Sequence, residues 1–279
     1  MKNFARNAAV SLIVLSALSA CNSEQSEQQS SAMKMVEAST DAPQSTPDST
    51  SSMEDARNGI ERQNLGGRAF TVVDFGSAPE GDAQTVVDGL KESALAGNAK
   101  ASYGIYLKIR ECASMMKTFE TKGASSINSK KYENCKNLSA ENFSSASEWL
   151  ERAASQGNLG AQLLYVADPE AVLGNQADML RNPEKTQQYK ESAVNYLRNA
   201  ANRGSVDALL SLGNAYQVGT LVDSDAATSY AYYQTVERIA PDYAPQTRME
   251  ALRKELTPQQ ISLSRTKSME IFNECCSSK

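Results

Sequence analysis

No histidine occurs in the 279 residues, so Ser-His-Asp and Cys-His catalysis, histidine-containing zinc sites and imidazole proton shuttles are all excluded. Carboxylates, lysines, tyrosines, serines and thiols are what remains for chemistry. Ser264-Arg265-Thr266-Lys267 holds a hydroxyl and an amine at the Ser-x-x-Lys spacing used in acyl transfer, and Ser31-Ala32-Met33-Lys34 repeats it. The companion Ser-Asp-Asn and Lys-Thr-Gly motifs are absent, and two fixed positions match readily in a serine-rich chain. Asp223 and Asp225 fall in a stretch that reads as a loop, where helix capping explains them better than acid–base work or calcium. Tyr216, Tyr230, Tyr232 and Tyr233 read as inter-helix packing, with an aromatic binding patch as the alternative. The sequence therefore offers no catalytic constellation and no cofactor or metal ligand set.

Five cysteines are present, and the first differs from the others in its setting. Lys2 and Arg6, an apolar run from Ala8 to Ala17, and then Leu18-Ser19-Ala20-Cys21 are similar to a bacterial lipoprotein signal. That resemblance implies cleavage before Cys21, a diacylglycerol on its thiol and acylation of its new amine. Several acyl chains supply the two membrane signals that stable anchoring needs. Asn22 in place of Asp favours sorting to the outer membrane, with the body facing the periplasm. Cys112, Cys135, Cys275 and Cys276 are then left in an oxidising compartment, with three possible pairings. A Cys112–Cys135 bridge pins the Lys- and Ser-rich insertion that it encloses. Cys275 and Cys276 are neighbours whose direct bridge needs a strained eight-membered ring. They are open to redox activity, to pairing with another molecule, or to reaching the insertion, although no Cys-x-x-Cys motif supports the first.

Composition divides the chain further. The formal charge is −5, becoming −7 once Lys2 and Arg6 leave with the signal. Between residues 22 and 55, Glu24, Glu27, Glu37, Asp41, Asp48, Glu54 and Asp55 face Lys34 alone, so nearly all the net charge sits there. With Pro43, Pro47 and no apolar period, residues 21–55 are expected to be a disordered acidic tether extending roughly 5–6 Å times the square root of its residue number. The rest of the chain is almost neutral, which gives no electrostatic footprint for nucleic acid. Residues 56–85 are mixed. Ala69-Phe70-Thr71-Val72-Val73-Asp74-Phe75 has strand-like composition but no evident pairing partner, and is expected to be an extended lead-in packed on the first helix.

From Val86 onward one pattern occurs three times. Leu90 to Ala101, Leu150 to Ala161 and Leu197 to Ala208 each carry a leucine, a small residue or pair one turn later, a glycine, a capping residue and a further alanine. Gly97, Gly157 and Gly204 suit a helix end that needs positive φ. Asn98, Asn158 and Ser205 suit the N-cap of the helix that follows. The unit is a helix, a tight turn and an antiparallel helix. It resembles the Sel1-like repeat, a relative of the tetratricopeptide repeat, most fully in the third copy. There Leu212-Gly213-Asn214-Ala215-Tyr216-Gln217-Val218-Gly219 continues the second helix. The spacing between turn glycines is 60 and then 47 residues against roughly 34 in tetratricopeptide units, so insertions must separate the copies. Arg248 to Leu256 and Gln259 to Glu274, with Thr257 as N-cap and Pro258 in the first turn, read as capping helices.

The expected architecture is an all-α helix-turn-helix repeat solenoid over residues 86–279. It follows a lead-in (56–85), a disordered tether (21–55) and a signal peptide (1–20). The family resemblance implies a lipid-anchored scaffold that binds an envelope protein or peptide without chemistry of its own. By analogy it presents a groove lined by the first helices, where Glu151, Arg152, Arg198 and Asn199 are the expected contact residues. A cell-wall-associated protein that recognises peptidoglycan or β-lactams is the alternative. A thiol-linked partner held at Cys275 or Cys276 is a third possibility.

Overall fold

Asparagine or serine after glycine at the end of a leucine- and alanine-rich helix dictates a reversal, and three such reversals organise the body. A computed structural model describes residues 59–277. The signal peptide, Cys21 and the 21–55 tether lie outside the described residues. The described chain begins with strands β1 (Glu61–Gly66) and β2 (Ala69–Asp74). Helices α1 (Ala83–Leu95), α2 (Ala99–Lys122), α3 (Ser129–Cys135), α4 (Ala140–Ser144), α5 (Ala146–Ser155), α6 (Leu159–Ala167) and α7 (Pro169–Leu173) follow. Then come α8 (Gln176–Arg181), α9 (Pro183–Asn202), α10 (Val206–Val218), α11 (Ala226–Ile239), α12 (Gln246–Glu255) and α13 (Pro258–Cys275). The architecture is helical throughout apart from the first hairpin.

The pairs α1/α2, α5/α6 and α9/α10 share one turn. Gly97, Gly157 and Gly204 adopt φ of 101°, 91° and 102°. Their N–H groups donate to Ala94, Ala154 and Ala201, while those of Asn98, Asn158 and Ser205 donate to Ser93, Ala153 and Ala200. That double closure satisfies the last carbonyls of the first helix. The same three capping side chains accept from the N–H of Ala101, Ala161 and Ala208, opening the second helix. One residue thus ends a helix and starts the next, and this fixes the two as antiparallel neighbours.

Successive pairs are joined at these turns as well as through their cores. Gln156 Nε2 donates to Ala94 O at 2.9 Å, and Gln156 Oε1 accepts from Ser102 Oγ at 2.6 Å, linking the second turn to the first. Arg203 reaches from the third turn to Gly157 O at 3.3 Å. Both residues immediately precede the turn glycine. Packing runs α2 on α5, α6 on α9, α10 on α11 and α11 on α13. The buried leucines and alanines that the repeat pattern identifies, including Leu150, Ala153, Ala154, Leu197, Ala200 and Ala201, lie at the centre. Gly160 and Gly213 permit close helix approach, since a Cβ on Gly213 would meet the Tyr233 ring at 2.5 Å.

The insertions are helical too. Cys112 at the core-facing side of α2 is bonded to Cys135 at the end of α3, with a Cα separation of 5.3 Å. Glu111 accepts from Lys108 at 3.1 Å and from Lys131 at 2.6 Å, pinning the same insertion electrostatically. Helices α7 and α8 form the second insertion.

Three expectations need correction. First, the Ala69–Phe75 stretch is half of an antiparallel hairpin, paired with the polar strand Glu61–Gly66. Second, β2 packs on the third unit. Phe70 N donates to Gly204 O at 3.0 Å, and Asp207 accepts from Thr71 Oγ1 and Val72 N, each at 2.9 Å. Only the end of the segment meets the first unit, where Tyr103 Oη donates to Phe75 O. Helix α1 also starts at Ala83, inside the expected lead-in, because Asp82 caps it. Third, Cys275 and Cys276 are bonded to each other. They are 1% and 3% exposed within the core that also holds Ala69 and Leu197, apart from the insertion.

Candidate functional site

Leu150 and Leu197 occupy equivalent buried positions on α5 and α9, so the next two residues of each helix must turn outward. Glu151, Arg152, Arg198 and Asn199 are accordingly exposed. The two pairs lie on separate helices with α6 packed against both. Arg152 rests over the Trp149 ring, 5.6 Å from its centroid. Arg198 Nη2 donates to Tyr216 Oη on α10 at 3.3 Å, and the Tyr216 ring stacks on Tyr232 of α11 at 5.8 Å and 13°. A polar and aromatic row thereby crosses three helices, with Arg198, Tyr216 and Tyr232 as consecutive members. Tyr232 is half-buried, and burial followed by the neighbouring Tyr216 pushes its phenol above the ordinary range.

The four tyrosines grouped in the sequence separate into two roles. Tyr216 and Tyr232 form the partly exposed stack. Tyr230 and Tyr233 are core residues, with Tyr233 Oη donating toward Asn214 Oδ1 and Gln217 Oε1. A second aromatic group, Tyr165 with Tyr189 and Tyr196, escaped the sequence reading. Tyr165 stacks on Tyr189 at 5.0 Å and meets Tyr196 edge-on at 5.1 Å. Burial first, and then the Glu151 charge, raise both Tyr165 and Tyr196. Tyr189 Oη donates to Tyr165 O at 3.1 Å. Their signal in sequence was aromatic residues at helical spacing along α9, which is equally a core pattern.

The residues that mimic catalytic motifs are occupied structurally. Ser264 Oγ, in a buried residue, donates to Ala227 O and Gln260 O, both at 2.8 Å. Lys267 Nζ donates to Thr228 Oγ1 at 2.7 Å. Serine and lysine thus serve different neighbours. Asp225 is the N-cap of α11 and accepts from Thr228 N and Oγ1; burial opposes its ionisation, yet these bonds hold its carboxyl below the ordinary range. Asp223 is exposed beside it. Among the described residues no group of three or more His, Cys, Asp or Glu could hold a metal ion, and no helix is long and apolar enough to cross a membrane.

No family model and no curated protein matches this chain. A solved structure, a protective antigen present in uropathogenic Escherichia coli strains and displaying an SLR fold, is similar over 68% of this chain at 18% identity. The TM-score is 0.40, and the match spans 41% of that structure's chain.

Proposed function

We propose that the chain is a Sel1-like repeat scaffold, anchored through lipid on Cys21 to the outer membrane, which binds an envelope protein or peptide and performs no chemistry itself. The observation that carries this reading is the surface row Arg198–Tyr216–Tyr232, held by three helices. Arginine and tyrosine combine large contact area with directional donors, and they dominate the energetics of protein interfaces. Their hydrogen bond and ring stacking hold the side chains in place before a partner arrives, lowering the ordering cost of association. The periplasmic, lipid-anchored setting is supported by Leu18-Ser19-Ala20-Cys21 and by four cysteines in two disulfides. Peptidoglycan or β-lactam recognition through Ser264 is disfavoured because that hydroxyl is engaged with backbone carbonyls.

The test places a photo-crosslinking residue at Asn199 of the full-length protein in intact cells. A defined adduct that disappears in Tyr216→Ala, while Glu120 as the crosslinking position gives none, supports the assignment. The same adducts from both positions, or none at Asn199, overturn it.

A further inference from the structure

Helices α11 and α13 enclose a half-open pocket of about 300 Å³ lined by Gln234, Glu237, Arg238, Arg265 and Ser268. Its chemistry is unbalanced. Neither guanidinium takes part in an ion pair among the described residues; Arg238 lies over the Phe272 ring at 5.7 Å, and Arg265 is exposed. The one carboxylate in the lining, Glu237, accepts from Gln246 Nε2 at 3.2 Å. In the same wall, Gln234 Oε1 is buried without a hydrogen-bond donor among the described residues. The pocket therefore offers two cationic forks for an anion.

We propose that this pocket binds a peptide carboxylate, giving the scaffold proposed above an acidic peptide as its partner class. The assignment rests on that reading. A guanidinium meets a carboxylate through two parallel N–H···O bonds. The Phe272 ring, 5.7 Å from the Arg238 guanidinium carbon, restricts one fork before a ligand arrives. Ser268, buried and hydrogen-bonded with Thr235, fixes the opposite wall. The matching group is either an aspartyl residue within a chain or the carboxyl end of a chain.

Fluorescein-labelled peptides with the full-length protein separate these cases. Gly-Ser-Ala-Asp-Ala-Ser-Gly amide carries only the internal acid, and Gly-Ser-Ala-Ala-Ala with a free end carries only the terminal one. Gly-Ser-Ala-Ala-Ala amide carries neither. Saturable polarisation change with one or both acidic peptides, weaker by about tenfold or more for the neutral peptide, is expected. The Arg265→Gln variant should reduce acidic-peptide binding to the neutral level while its thermal unfolding stays at the wild-type midpoint. Equal binding of acidic and neutral peptides, no saturable binding, or unchanged affinity in Arg265→Gln overturns the proposal. If the Asn199 adduct persists while the acidic peptides fail to bind, the pocket assignment falls and the scaffold stands. If acidic peptides bind through Arg265 but no adduct forms at Asn199, the pocket stands and the Arg198–Tyr216–Tyr232 surface falls.

Discussion

Lys108, 2% exposed on α2, is the one buried charged residue among the described residues. An ammonium in that position needs a partner, because leaving one member of a buried pair unmatched is strongly destabilising. Glu111 supplies it and simultaneously holds Lys131 of the insertion. Burial pushes the Glu111 carboxyl up, but its bonds to Lys131 and Lys108 outweigh that and leave it below the ordinary glutamate value. A depressed folded-state value means that the carboxylate contributes stability above the unfolded-state titration and loses it as pH falls through the folded one. Glu111→Gln is therefore expected to lower unfolding free energy by about 1–3 kcal/mol at neutral pH. Urea melts repeated in increasing acid should show wild type and variant converging. A gap that stays constant with pH would rule out the ion pair as its source.

At the scale of elements, the residue before the second and third turn glycines does what hydrophobic periodicity alone never shows. Gln156 and Arg203 both precede a positive-φ glycine, and both bond a carbonyl of the preceding turn. These bonds set the register of one helix pair on the next. Gln156→Ala would leave Ala94 O without this donor and Ser102 Oγ without its acceptor, costing about 1–2 kcal/mol; chemical denaturation measures it, and a loss under a few tenths would show that the core alone sets the register. The hairpin provides the complementary case. Arg68 donates to Asn202 O at 2.9 Å and Glu274 O at 3.0 Å, so its guanidinium caps the carbonyl ends of α9 and α13 together. Arg68→Ala is expected to accelerate amide exchange at Phe70 and Val72 while leaving α1 and α2 protected, in keeping with locally cooperative opening. Uniform acceleration across all helices would contradict it.

These two cases mark where the sequence was informative. Helix ends, caps and buried leucines were legible because each is a local preference written in one or two residues. Gly97, Gly157 and Gly204 could be placed without knowing what lay beside them. The strand Glu61–Gly66 was invisible because Glu-Arg-Gln-Asn-Leu-Gly has little β-branched content; its pairing is imposed by Gly66 and Gly67, at φ of 107° and 54°, and by the docking of β2 on α10. The same long-range contact determines Gly204, whose missing Cβ makes room for the Arg68 carbonyl. At the candidate site, exposure of Arg198 followed from its place after Leu197. Its bond to Tyr216 and the pocket between α11 and α13 depend on helix packing at distances in sequence that no local pattern encodes.

Over the whole molecule, the near-neutral body and the acidic 22–55 segment imply a division of labour between binding and attachment. The segment holds seven acids against one lysine, and a negatively charged stretch is repelled by an anionic membrane surface. Charge therefore works against adsorption, and the lipid attachment proposed above needs a hydrophobic contribution large enough to overcome it. Acyl chains contribute about 0.8 kcal/mol per buried methylene, so two or more chains hold a protein that one releases. Cys21 is the residue whose context fits that modification. Under the lipid anchoring proposed above, Cys21→Ser is expected to move the protein from the membrane to the soluble periplasmic fraction and to abolish incorporation of labelled palmitate. Its thermal midpoint should remain unchanged, because no part of the described fold depends on residue 21. Retention of the variant in washed membranes would mean that another surface carries the attachment and that Cys21 does not anchor the chain.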